Sequence, residues 1–109
     1  MNPRRGEIWW AVLDPTLGSE ISKTRPCLVL TTDVVNTHRR TVVVVPLSTS
    51  PTPHPPITVA VRCQDRPAVA VLDQIRAISK QRLRSPIGRA SPDELAAVEA
   101  GLKQILELP

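Results

Sequence analysis

The apolar residues of this chain gather in short runs separated by turn-forming residues. Six runs read as β-strands: Glu7–Leu13, Cys27–Thr32, Thr41–Leu47, Ile57–Val61, Ala68–Asp73 and Ile75–Ser79. They are rich in β-branched and aliphatic side chains, which suit a pleated, half-buried surface. The run TVVVVPL is so uniformly apolar that it predicts a strand buried on both faces. The runs follow one another too closely for βαβ units, and the pattern predicts a small antiparallel barrel. After the third run, STSPTPHPP (Ser48–Pro56) carries four prolines and excludes regular structure there.

The period changes near the C-terminus. Ser91-Pro92-Asp93-Glu94 supplies an N-cap, a proline at the first helical position and a glutamate at the third, the pattern of a capping box. Leu95, Val98, Leu102 and Ile105 follow at spacings of 3, 4 and 3, one apolar stripe of a helix. Gly101 interrupts it at a cost of about 1 kcal/mol relative to Ala, and reads as a mark of close packing. A shorter helix is expected over Asp33–His38.

With 109 residues the chain is expected to form one domain, residues 1–109. Hydrophobic residues make up 41 % and charged residues 22 %, a globular rather than a disordered balance. No apolar run reaches transmembrane length. The opening MNPRRGE is basic but has no apolar segment behind it, so no signal peptide is expected. Cys27 and Cys63 sit in or beside apolar runs and read as reduced core thiols.

Charge changes the picture more than composition does. The net charge is +4, but residues 1–90 hold thirteen Lys/Arg against six Asp/Glu, whereas the remaining residues hold one Lys and four acids. A body of +7 fits a polyanionic partner, and fits a solvated basic surface equally well. The absence of Phe and Tyr leaves only Trp9 and Trp10 to stack on a base, which argues against an aromatic-platform RNA reader such as an RRM.

Several chemistries are excluded. There is no Cys-x-x-Cys and no His-x-x-x-His pair, and His38, His54 and two core cysteines do not assemble a metal site. The four glycines are scattered, so no phosphate loop exists. Both histidines read as surface residues. What remains are polar residues at strand ends. Arg25 precedes one strand and Ser48 follows another; if those strands are neighbours, the two side chains meet at one rim. An arginine fork suits a phosphate, and a serine hydroxyl can donate to a phosphoryl oxygen. Asp73-Gln74 lies at a further strand end, with Arg76 two residues on. Residue types alone favour a simpler role for Arg25, an ion pair with Glu20 or Asp73.

Four blocks in order, RGEIWWAVLDPTLGSE, TRPCLVLT, VVVPLSTS and DQIRAISKQRL, make the chain resemble the MazF/PemK (Kid) family of bacterial toxin endoribonucleases over roughly residues 4–106. The resemblance implies a mainly β fold: an SH3-like or CcdB-like antiparallel barrel with a C-terminal helix. It implies a cytoplasmic homodimer that cleaves single-stranded RNA at short, specific sequences without metal or cofactor. It also implies inhibition by an acidic, MazE-like antitoxin, operator DNA binding through the antitoxin complex, and no membrane association. The family's catalytic Arg and hydroxyl fall on Arg25 and Ser48, with Thr49 as a substitute hydroxyl. The aspartate used as a base in the Kid branch falls on Asp73. That branch's arginine falls on Val71, so its acid is missing here. RNA contacts are implied for Glu20, Lys23, Thr49, Gln74 and Arg76.

Two departures stand out: Glu20 is followed by Ile21 rather than the family's common Gln, and Ser48 replaces the commoner Thr. The implied chemistry is attack by the substrate's own 2′-hydroxyl, giving a 2′,3′-cyclic phosphate and a 5′-hydroxyl. A gyrase-binding poison of the CcdB type would share the barrel, but it ends in a Trp-Gly-Ile-like tail and this chain ends ILELP. A degenerate relative that binds nucleic acid or antitoxin without cutting is the other alternative.

Overall fold

The computed structural model describes residues 2–15, 17–21, 23–49 and 52–109; Met1, Thr16, Ser22, Ser50 and Pro51, the last two within the proline-rich stretch, lie outside the described residues. In chain order the elements are β1 (Glu7–Val12), β2 (Thr24–Val29), α1 (Asp33–His38), β3 (Thr41–Ser48), β4 (Thr58–Cys63) and β5 (Arg66–Val71). A 3-10 turn (Leu72–Gln74) leads into β6 (Arg76–Ser79), which is followed by β7 (Leu83–Arg89) and α2 (Pro92–Ile105). The strands form one curled antiparallel sheet in the order β4-β5-β3-β2-β1-β7, with β6 attached to β3. The expected small antiparallel barrel with a C-terminal helix is present, its sheet curled into a half-barrel.

Strand β3 organises the sheet, because its two ends pair with different neighbours. On one side it pairs with β2 through Val44, Val45 and Pro46. On the other, Thr41–Val44 pair with β6 and Leu47–Ser48 pair with β5. Pro46 stands at the gap between those two partners, where a residue without an N–H interrupts no ladder. The expected burial on both faces is present. Val45 and Leu47 join a core with Ile8, Leu28, Val61 and Leu72, while Val42 and Val44 join a second core with Trp9, Leu13, Val29 and Ile78.

Helix α2 closes the first core. Its capping box forms as the sequence dictates: Glu94 N donates to Ser91 Oγ at 3.1 Å and Ser91 N donates to Glu94 Oε1 at 2.8 Å. Glu94 Oε2 also accepts from Arg62 N at 2.6 Å, which fastens the helix start to β4. Val98 is fully buried, and Leu95, Leu102 and Ile105 pack beside it. Gly101 is buried where a side chain would run into Leu72, which explains the interruption of the apolar stripe.

Most strand ends shift by one or two residues, and three elements differ more instructively from expectation. Strand β2 begins at Thr24 and ends at Val29, rather than running from Cys27 to Thr32. Beyond it, the Thr31 hydroxyl takes over the ladder, accepting from Val43 N at 2.6 Å. The fifth run yields its last residues to the 3-10 turn. Strand β7 was not expected, because its sequence LRSPIGR contains Pro86 and Gly88. It pairs with β1 through an irregular register at the sheet edge, where proline is tolerated.

Candidate active site

The β2–β3 ladder brings Arg25 and Ser48 together. Its registered pairs are Cys27↔Pro46, Leu28↔Val45 and Val29↔Val44. The same register continued by two residues sets Arg25 opposite Ser48, and directly opposed side chains have Cβ atoms about 4.5–5.5 Å apart. Both residues line a cavity of about 280 Å³ together with Thr49. They also line a second hollow with Ser19, Glu20 and Ile21 of the β1–β2 loop. The pair therefore stands between two recesses. Arg25 is exposed and Ser48 is half-buried.

The Arg25 guanidinium makes no hydrogen bond or ion pair with any described residue. The expected ion pair with Glu20 or Asp73 does not form; among the described residues the one salt bridge joins Arg5 and Glu99 at 2.9 Å. Glu20 is engaged within its own loop, where Oε1 accepts from Leu17 N at 3.1 Å. Asp73 lies exposed on the 3-10 turn and lines neither recess. The fork donors of Arg25 thus stay available for an anion.

The other implied RNA-contacting residues divide into two groups. Glu20, Lys23 and Gln74 build the loop. Lys23 has a left-handed backbone (φ 67°); its N–H donates to Asp14 Oδ1 at 2.9 Å, and its carbonyl accepts from Leu13 N at 2.8 Å. Gln74 Oε1 accepts from Ile21 N at 2.7 Å, which ties the loop to the turn after β5. Its acceptor is thereby committed to the protein. Thr49 and Arg76 carry no such constraint. Arg76 pairs with Val44 on β6. Its charge pulls down the thiol pKa of buried Cys27, while burial, the larger effect, pushes it up to about 12. Arg76, Cys27 and the Arg25–Ser48 pair thus share one face of the sheet by strand alternation.

Residues not expected from the sequence complete the larger cavity: Trp10, Cys63, Gln64, Arg66, Pro67 and Ala68. Burial pushes the Cys63 thiol pKa up, so its neutral form is favoured. Two signals for this set were present in the chain. Trp9 and Trp10 are adjacent in a strand, so one must face away from the core that holds the other; Trp9 is buried and Trp10 half-buried. The dipeptide Arg-Pro also occurs twice at the mouth of an apolar strand, as Arg25-Pro26 and Arg66-Pro67. The fold brings both copies to the same cavity. Both histidines are exposed, as expected. Among the described residues no three His, Cys, Asp or Glu side chains converge, and no helix is long and apolar enough to cross a membrane.

Comparison with known proteins finds relatives of this chain in sequence and in fold. The family model described as PemK-like, MazF-like toxin of type II toxin-antitoxin system matches residues 4–106. The chain is 37 % identical over 114 residues to endoribonuclease MazF9 of Mycobacterium tuberculosis, covering 96 % of this chain and 97 % of that one. Its fold is similar to that of MazF from Deinococcus radiodurans, with a TM-score of 0.86 at 24 % identity over 98 % of each chain. A mycobacterial endoribonuclease solved in complex with its cognate antitoxin superposes with a TM-score of 0.81 at 25 % identity, covering 98 % of this chain and 97 % of that chain.

Proposed function

Because the chain belongs to the PemK-like, MazF-like toxins of type II toxin–antitoxin systems, we propose that it is an endoribonuclease that cuts single-stranded RNA between Arg25 and the hydroxyl of Ser48. The observation that carries this reading is the Arg25 guanidinium, free of any partner among the described residues and aligned with Ser48 over a shared cavity. A scissile phosphate seated there receives two N–H donors from the arginine and one O–H from Ser48 or Thr49. Those donors act on the charge that develops as the phosphorus becomes five-coordinate. Preorganised donors of this kind are each worth about 2.7–4 kcal/mol by deletion.

The nucleophile is the RNA's own 2′-hydroxyl. Its oxygen forms a bond to phosphorus as the bond to the 5′ oxygen breaks. The 2′ proton leaves to a base, and the departing 5′ oxygen gains a proton. The products are a 2′,3′-cyclic phosphate and a 5′-hydroxyl. Asp73 serves as the base only where substrate, or a second copy of the chain, brings the 2′-hydroxyl to it, since it lines neither recess. Thr49, Arg76 and Lys23 supply donors along the RNA backbone, while Glu20 and Gln74 shape the loop beside it.

In the same reading the protein is a cytoplasmic homodimer held in check by a small acidic antitoxin, and it reaches operator DNA through that antitoxin. The basic body, thirteen Lys/Arg against six Asp/Glu over residues 1–90, supplies the charge complementarity for both RNA and antitoxin.

The test is incubation of purified protein with long single-stranded RNA in EDTA, with both new ends mapped. Cleavage with cyclic-phosphate and 5′-hydroxyl ends is expected from the wild type and none from a folded Arg25→Ala variant. A 2′-deoxy nucleotide 5′ of the scissile phosphate should block the cut. Cleavage of that substrate, or wild-type turnover by Arg25→Ala, refutes the mechanism.

A further inference from the structure

Helix α2 covers only part of the core face on which it lies. It packs on β4 and on the turn after β5, over Val59 and Leu72. The same face continues past the helix along β1, β2, β3 and β5. There Trp10, Pro26, Leu47 and Ala68 floor the 280 Å³ cavity, with no helix above them. Strand pairing aligns this floor: Trp10 is opposite Pro26, and Leu47 is opposite Ala70, which shares its face with Ala68. The result is an apolar slot close to the lower end of the roughly 300 Å³ typical of small-ligand sites. One wall carries a half-buried indole.

The mouth of the slot is polar in a specific way. Strands β4 and β5 are joined by the two-residue turn Gln64-Asp65, and both residues have left-handed backbones, with φ of 52° and 61°. Such turns favour Asn-Gly, because other side chains resist positive φ. Here the turn is held by Arg62, whose Nη2 donates to the Asp65 carbonyl at 2.6 Å. The unfavourable conformation sets Gln64 at the edge of the cavity. Neither the Gln64 amide nor the Arg66 guanidinium hydrogen-bonds to any described residue. Arg25 and Arg66 line the same slot, each preceding a proline.

A flat aromatic ligand with a hydrogen-bonding edge and an anion attached is the chemistry that fits. We propose that this slot receives the nucleobase next to the scissile phosphate, stacked on Trp10 and read at its edge by Gln64, with Arg66 on the adjoining phosphate. The inference rests on the RNA-cleaving reading of Arg25 and Ser48 and adds the determinant of base preference. Stacking on the indole tolerates any base. Selectivity comes from the amide, which offers a donor and an acceptor together and so pairs with one edge pattern better than with others.

Two measurements test it. End-mapping on a long RNA of mixed sequence gives the base preference at each position around the cut. Gln64→Ala should flatten the preference at one position adjacent to the cut, lowering the kcat/KM ratio between preferred and non-preferred bases about tenfold. Preferences elsewhere should stay in place. Independently of cleavage, an uncleavable 2′-deoxy-substituted oligonucleotide should quench the emission of Trp10, and the same oligonucleotide with one abasic position should quench it several-fold less. A Gln64→Ala preference identical to that of the wild type overturns the proposal. So does quenching that ignores the abasic change, or a Gln64→Ala variant altered only in binding an antitoxin peptide. Base-dependent quenching by a wild type that cuts no RNA would instead defeat the enzymatic reading and leave the slot's ligand assigned.

Discussion

Replacement of Gly101 by alanine measures how closely α2 lies on the turn that follows β5. On an exposed helix the change stabilises by about 1 kcal/mol, because glycine gives up more backbone freedom on folding. At this position the added Cβ would overlap Leu72 Cδ1, and it would lie 3.2 Å from the Pro56 carbonyl oxygen and 3.5 Å from Val59 Cγ2. Leu72 is fully buried and cannot swing aside, and the carbonyl belongs to backbone. Forcing a methyl into such packing costs about 1–3 kcal/mol. The steric term wins, and the net expectation is a loss of about 1 kcal/mol, which lowers Tm by roughly 4–8 °C for a chain of this size. Urea unfolding followed by circular dichroism reads the difference directly. Ala96→Gly, on the exposed side of the same helix, provides the control and should lose about 1 kcal/mol from propensity alone. Gly101→Val should fall below Gly101→Ala. A Gly101→Ala protein more stable than wild type by the full propensity gain would refute the close approach of helix and turn.

Ser48→Ala should slow cleavage by about 10²–10³-fold if its hydroxyl holds the phosphate, and Thr49→Ala by less; initial rates on one oligonucleotide decide, and the reverse order moves the role to Thr49. The buried thiol of Cys27 makes stability pH-dependent. Its folded pKa of about 12 lies above the unfolded value near 9, so below about pH 9 both states keep the proton and nothing changes. Above that the unfolded chain releases it while the fold does not, and stability falls by about 1.4 kcal/mol per pH unit until about pH 12. Denaturant midpoints at pH 8 and 10 should show this loss in wild type and a smaller one in Cys27→Ala, where the Cys63 thiol, also pushed up by burial, remains. Ser91→Ala removes the N-cap acceptor and should cost about 1 kcal/mol in the same unfolding assay.

The sequence is most legible where short-range chemistry decides the structure. Ser91 and Glu94 lie three residues apart and need nothing beyond themselves to cap α2, so that helix was readable to its first residue. The β-branched run from Val42 to Val45 announced a doubly buried strand. Strand β7 was not legible, because its proline and glycine are acceptable only on a sheet edge, and edge position is set by the tertiary fold. The start of β2 was misplaced for a related reason: Thr24 and Arg25 are polar, yet they pair with Val12 and Ala11 across the hairpin. Within the candidate site, Arg25 and Ser48 were marked by their places at strand ends and by family resemblance. Gln74 was expected at the RNA; its acceptor holds Ile21 across 53 positions of sequence, a contact no local pattern encodes. Arg66 and Gln64 were missed, although the repeated Arg-Pro pair was a signal for the first.

The divided pairing of β3 reaches beyond architecture. Ser48 lies at the one stretch of that strand flanked by β2 on one edge and β5 on the other, and each of those strands carries one arginine of the cavity. Side chains alternate faces along a strand, so a slip of one residue in either ladder turns Ser48 away from Arg25 or separates the two arginines. Pro46, which can donate to neither β5 nor β6, marks the place where the partners must change hands. A chain folded in the wrong register would not present the pair proposed to cut RNA. On the proposed reading, cleavage is reserved for molecules that have completed both ladders, and the sheet acts as its own proofreading step.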